Sequence, residues 1–170
     1  MSKKIDIQSA ANRVFETSVD EFQYYIQRMS SNFEDRVESN IELMLLLSFD
    51  LIGMLSGDAK GKPLFYISPS DEPDMADWNG FVVVTPQYKW NGYRIDFRAD
   101  TRALDHPIFI ECDGHDFHER TKEQAERDRT KDRKIQEAGI PILRFTGREI
   151  FRNPLDVVNQ ITKFMTAHIK

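Results

Sequence analysis

The sequence predicts an α/β fold, a mixed sheet flanked by helices, and three observations carry that prediction. Asn91-Gly92 sits between two β-rich runs and is a strong short-range hairpin signal. A charged segment, 117–138, has helical character and stops at Gly139, just before the apolar run "IPILRF". Helical periodicity frames this strand-rich centre on both sides.

In chain order, residues 7–30 read as a helix. Ser18 and Glu21 stand in capping-box spacing, and Phe22, Tyr25, Ile26 and Met29 follow at helical intervals. A second helix, about 33–55, carries Val37, Ile41, Leu45 and Phe49 on one stripe. Residues 56–79, rich in Gly, Pro, Ser and Asp, form a long connection with a short strand at "LFYI". The hairpin strands "FVVVTPQYKW" and "YRIDFRA" come next, and Pro86, which lacks an N–H, marks the first of them as an edge. A third strand spans 107–113. After the charged helix and the strand "IPILRF", a last helix opens with Pro154 and keeps Leu155, Val158, Ile161, Met165 and Ile169 on one side.

The 170 residues suffice for one domain with a proper core, divided here into a helical extension, 1–32, and a domain, 33–170. No apolar stretch reaches membrane-spanning length, no secretory segment follows Met1, and one cysteine fits a reducing compartment, so a cytoplasmic location is expected. The net charge of −5 hides an asymmetry: Asp71, Glu72, Asp74 and Asp77 cluster upstream, while 120–152 holds ten Lys and Arg. A basic half beside carboxylates suits nucleic acid held near metal ions; by itself the charged helix is equally an ordinary solvated face.

A two-residue Asn-Gly loop sets the hairpin register: Trp90 faces Tyr93, Lys89 faces Arg94, Tyr88 faces Ile95, and Gln87 faces Asp96. Tyr93, Ile95 and Phe97 then share one face, and Asp96 lies on the other beside Gln87. On the next strand Ile108, Ile110 and Cys112 face away from Phe109, Glu111 and Asp113. That separation argues against zinc at "CDGH", whose cysteine points away from the acids. Asp96, Glu111 and Asp113 converge if the strands are neighbours. Carboxylates that close repel unless a cation lies between them, and hard oxygen donors suit Mg²⁺ or Mn²⁺. Such a site suggests metal-assisted phosphodiester hydrolysis.

The quoted motifs "SNIE", "TPQYKWNGYRIDF", "FIECDGHDFH" and "ERDRTKDRKIQEAGIPILRFTGREIFRNP", in that order, resemble the PD-(D/E)XK nuclease superfamily. More narrowly, they look like its short bacterial branch similar to very-short-patch-repair endonucleases. The resemblance covers about 39–160 and implies a restriction-endonuclease-like αβββαβ core that cleaves DNA with a divalent metal. It implies Asp96 and Glu111 as metal-binding acids, Glu42 as an additional helix acid, and Gln87 as a positioner of phosphate or water. His118 is implied as a phosphate contact or an acid or base. Asp113 stands where the superfamily pattern has lysine. Lys131, Lys134, Lys89 and His118 are the candidates to replace it.

Other residues have competing roles. Ser39 and Glu42 form a capping box, a structural job compatible with metal binding. His115 and Asp116 read as turn residues. Arg127, Lys131 and Lys134 share a helix face and, with Lys89 and Arg94, are the expected phosphate contacts. Arg144 is placed to support the carboxylates. The competing reading is a nuclease fold that binds nucleic acid or protein without cutting, motivated by the missing lysine and the acidic charge. A protein partner or a homodimer is compatible with either.

Overall fold

The computed structural model describes residues 7–57, 61–70, 81–114 and 121–169. Five strands form one sheet in sequence order: β1 (Phe65–Ile67), β2 (Val82–Trp90), β3 (Tyr93–Asp100), β4 (Ile108–Asp113) and β5 (Ile142–Thr146). The outer pairs β1–β2 and β4–β5 are parallel and the inner pairs antiparallel, so the sheet is mixed. Among the described residues six helical segments surround it: α1 (Ile7–Phe33), a 3₁₀ turn (Glu34–Arg36), α2 (Asn40–Leu55), α3 (Lys122–Glu137), α4 (Gly147–Arg152) and α5 (Pro154–His168).

Strand alternation sorts the core into two layers. Ile108, Ile110, Phe97 and Ala99 pack with Leu45 and Phe49 of α2, Ile150 of α4, and Val158 and Ile161 of α5. On the opposite face Phe109 and Ile95 pack on Ile135 of α3, with Tyr88, Trp90 and Ile142 around them. Trp90 meets Phe109 edge-on, with ring centroids 5.6 Å apart. The last turn of α1 joins the larger layer through Met29 and Phe33, and Tyr25 donates a hydrogen bond to Asp50 of α2.

Several expectations are corrected. Helix α1 runs unbroken from Ile7, so Ser18 and Glu21 lie inside it and cap nothing. The second helix starts at Asn40, because Ser39 is its N-cap and accepts from the Glu42 N–H at 3.2 Å. β2 is not an edge along its whole length: β1 pairs with Val82 to Val84, and Pro86 lies just past that pairing. The short helix α4 escaped the reading.

The hairpin register holds for Trp90–Tyr93, Lys89–Arg94 and Tyr88–Ile95, then lapses at Gln87 and Asp96. Gln87 has φ +52°, a left-handed conformation that interrupts strand alternation. Asp96 has no partner in either the β2–β3 or the β3–β4 ladder. Ile95 and Phe97 consequently belong to different core layers, where unbroken alternation would put both on one face.

Candidate active site

The break at Gln87 and Asp96 is where the ionisable side chains meet. Glu42 enters from the first turn of α2, held by its own cap: Ser39 Oγ donates to Oε1 at 2.8 Å, and the Glu38 N–H donates to Oε2 at 3.0 Å. Gln87 turns to the same carboxylate and donates its amide N–H to Glu42 Oε2, while its Oε1 is buried without a partner. Glu42 is therefore bound both to the N-cap segment of α2 and to Gln87.

Asp96 does not pair with an arginine. Arg94 forms a two-pronged ion pair with Glu38, and Arg98 pairs with Asp100 at 2.7 Å. Instead Asp96 Oδ2 accepts the Cys112 backbone N–H at 2.7 Å. A carboxyl in this position is poorly solvated. Burial first, then the charge of Glu111, pushes Asp96 up to about 7, against a smaller lowering by the Cys112 N–H. Glu42 adds to the rise and Lys131 opposes it. The Cys112 thiol is pushed up by burial, as expected of a small apolar wall residue.

Glu111 is 7 % exposed at the centre of the sheet. Lys131 reaches it from α3, its Nζ 2.7 Å from each carboxylate oxygen and 2.9 Å from the Arg94 carbonyl oxygen. Burial raises the Glu111 carboxyl, and the Lys131 ammonium draws it back down. One strand position on, Asp113 turns to Arg144 on β5 at 3.3 Å. The same guanidinium pairs with Asp132 of α3 and lies 3.9 Å from Glu111. Asp113 is thus tied to a cation rather than open beside Glu111.

The expected residues divide accordingly. Glu42, Gln87, Asp96, Glu111 and Lys131 are brought together. Lys134 lies over the Tyr93 ring at 5.1 Å, and Arg127 is exposed on α3. Lys89 and Arg94 line a cleft of about 310 Å³ with Glu38, Pro86 and Gln87, next to the site. His118, with His115 and Asp116, lies outside the described residues. Glu38, which holds Arg94 by its side chain and Glu42 by its backbone, was missed; its place one residue before the Ser39 cap was the available signal. Asp132 offered none.

Among the described residues no group of three or more His, Cys, Asp or Glu is drawn tightly enough to hold a metal. The donor chemistry nevertheless fits a hard cation. Glu111 is buried and Asp96 half-buried, desolvation raises both carboxyls, and Asp96 is raised further by the charges of Glu111 and Glu42. A divalent ion would relieve that repulsion. The arrangement offers hard oxygen donors, an ammonium against one of them, and an amide beside the third acid.

No curated protein and no solved structure matches the chain. A family profile, REase_MTES_1575, matches residues 77–165, just over half of it. The match takes in β2 to β5 with Asp96, Glu111 and Lys131, and excludes α1 and Glu42. It supports a restriction-endonuclease-like superfamily without reaching the very-short-patch-repair branch. The chain belongs to the REase_MTES_1575 family of restriction-endonuclease-like proteins.

Proposed function

We propose that this protein is a divalent-metal-dependent endonuclease that hydrolyses phosphodiester bonds in DNA. One observation carries the reading: two acids on neighbouring strands, half-buried Asp96 and buried Glu111, with Lys131 Nζ 2.7 Å from the second. Burying charge there costs free energy, and a fold keeps such groups where a cation or a reacting phosphate will use them. Membership of a restriction-endonuclease-like family points to the same activity.

In this reading Asp96 and Glu111 hold Mg²⁺ or Mn²⁺, with Glu42 as a further acid on the α2 side. Such an ion, when bound, polarises the scissile phosphate and lowers the pKa of a coordinated water. Lys131 supplies the cationic group that the superfamily pattern would place at position 113, where this chain has Asp113. Its ammonium stabilises charge developing on the phosphate. Gln87 holds Glu42 with its N–H and offers its buried Oε1 as an acceptor for the attacking water. Arg144 keeps Asp113 engaged and its charge away from the phosphate. Kinship with the very-short-patch-repair branch, and DNA repair as a setting, belong to this proposal and rest on the motif likeness alone.

Incubation with supercoiled plasmid tests it. Wild type nicks the plasmid with Mg²⁺ or Mn²⁺ and not with EDTA, and Asp96→Ala abolishes the nicking. A wild type that binds DNA without cutting under any divalent cation would instead establish the non-catalytic reading.

A further inference from the structure

Phe151 is 73 % exposed, the largest value among the exposed large hydrophobics of the described residues. It lies on α4, which packs against the end of β4 and the larger core layer. Gly147 is buried at the helix start, where an added Cβ would stand 3.5 Å from the Asp113 carbonyl oxygen and 3.7 Å from Ile41, the neighbour of Glu42. Ile150 is fully buried in the larger core layer. The helix therefore leaves directly from the carboxylate end of β4 and β5 and holds Phe151 outward.

Two arginines flank that ring. Arg148 and Arg152 are exposed, and neither side chain has an ion pair or hydrogen bond with another described residue. Glu149, the acid between them, is folded back onto Thr146, with its Oε2 2.8 Å from the backbone N and 2.7 Å from Oγ1. Asp156 is likewise engaged, accepting from Gln160 at 2.9 Å. The short helix presents two uncompensated guanidinium groups around a bare aromatic ring. An exposed Phe151 with the half-exposed Leu155 would also suit a protein surface, but unpaired guanidiniums beside the ring favour a polyanion with stackable faces.

We propose that α4 is a nucleic-acid-docking element, with Arg148 and Arg152 on backbone phosphates and Phe151 against an unstacked or frayed base. The proposal rests on the nuclease reading, since it places DNA across the end of the sheet where Asp96 and Glu111 lie. It adds three contacts outside the charged face of α3.

Fluorescence anisotropy with a labelled duplex in EDTA separates binding from cleavage, and plasmid nicking is measured in parallel. Wild type is compared with Phe151→Ala and with the double variant Arg148→Ala/Arg152→Ala; circular dichroism verifies that both fold. Phe151→Ala should weaken binding roughly 5- to 100-fold with an unchanged salt slope. The double variant should lower the slope of log K against log salt by about 2. If wild type binds and nicks but all three proteins bind alike, the docking element is refuted and the nuclease reading stands. If binding falls as expected while wild type never nicks, the docking element stands and the catalytic reading falls. Unchanged DNA affinity together with lost self-association in sedimentation would assign Phe151 to a protein contact and overturn the proposal.

Discussion

Lys131 Nζ lies 2.7 Å from both oxygens of Glu111, across the gap between α3 and the centre of the sheet, and the two side chains are only 12 % and 9 % exposed. An ion pair this secluded contributes less to stability than its Coulomb attraction suggests, because both charges gave up hydration to form it. Removing one partner is another matter, since it strands the other.

Lys131→Met should accordingly lower DNA cleavage about 100-fold or more, the scale of losing one preorganised cationic contact to the reacting group. It should also destabilise the protein by about 2 kcal/mol at pH 8, below the usual cost of breaking a buried pair because the Arg144 guanidinium, 3.9 Å away, still faces the stranded Glu111. The stability loss should shrink as pH falls, because burial raises the Glu111 carboxyl and the Lys131 ammonium no longer opposes that rise. Adding Glu111→Gln to Lys131→Met should restore stability and leave cleavage absent. Recovery of cleavage in the double variant would show that Lys131 only neutralises Glu111.

Asp96 makes a prediction about pH. Its folded-state pKa of about 7 stands above the ordinary 3.8, chiefly through burial and the nearby Glu111 charge. Between those values the folded protein holds a proton that the unfolded chain has released, so the contribution to stability is fully present below pH 4 and lost as pH rises through 7. Metal-free protein should melt lower at pH 8 than at pH 5, by the equivalent of roughly 3 kcal/mol at most. Asp96→Asn should flatten the dependence and stabilise the pH 8 form. Mg²⁺ should raise the melting temperature at pH 8 more than at pH 5, because it competes with the proton for the same carboxylate. A wild-type profile no steeper than that of Asp96→Asn would contradict this account.

Much of this architecture was readable in the chain, and the unreadable parts have identifiable causes. Asn91-Gly92 fixed Trp90–Tyr93, Lys89–Arg94 and Tyr88–Ile95 because a two-residue turn admits one register. Counting on from there placed Gln87 opposite Asp96, and there periodicity failed. Gln87 turns left-handed and bonds to Glu42, a partner 45 positions away that no local pattern reveals. The same lapse sends Ile95 to the α3 layer. By contrast α4 was within reach: Thr146 and Glu149 form a reciprocal capping box, whereas at Ser39 only the N-cap half of that signal is present, because the Glu42 carboxylate takes the Glu38 N–H instead. Lys131 was one of four candidates for the missing lysine, and only the reach from α3 across to β4 distinguishes it from Lys134, which is drawn to Tyr93.

Gln87 itself gives a third test, in which stability and activity should separate. A non-glycine residue at φ +52° carries about 1 kcal/mol of backbone strain, which Gln87→Gly would relieve at the cost of a looser unfolded chain. Stability should stay within about 1 kcal/mol of wild type. Cleavage should fall at least tenfold, because Glu42 loses its amide donor and the site loses the free Oε1. Gln87→Asn tolerates the left-handed backbone but is one methylene shorter, and should recover stability without recovering rate. Equal activity in all three proteins would exclude Gln87 from positioning.

A fourth prediction concerns how α2 is fixed, since Glu42 can reach the site only if the helix behind it does not shift. Gly53, three turns further along α2, lets the helix lie against β1 so closely that an added Cβ would stand 2.3 Å from the Phe65 carbonyl oxygen. That obstacle is backbone, so no side chain can rotate away from it. Gly53 has no positive φ to protect, and in an exposed helix Gly→Ala would ordinarily stabilise by about 1 kcal/mol. Here the sign should reverse, with Gly53→Ala destabilising by roughly 1–3 kcal/mol as the helix is levered off the strand. The displaced helix carries Glu42 and its Ser39 cap, so the Gln87–Glu42 hydrogen bond should weaken with it. Cleavage measured per folded molecule should then fall together with the melting temperature. A Gly53→Ala protein as stable as wild type would contradict this close approach of α2 to β1.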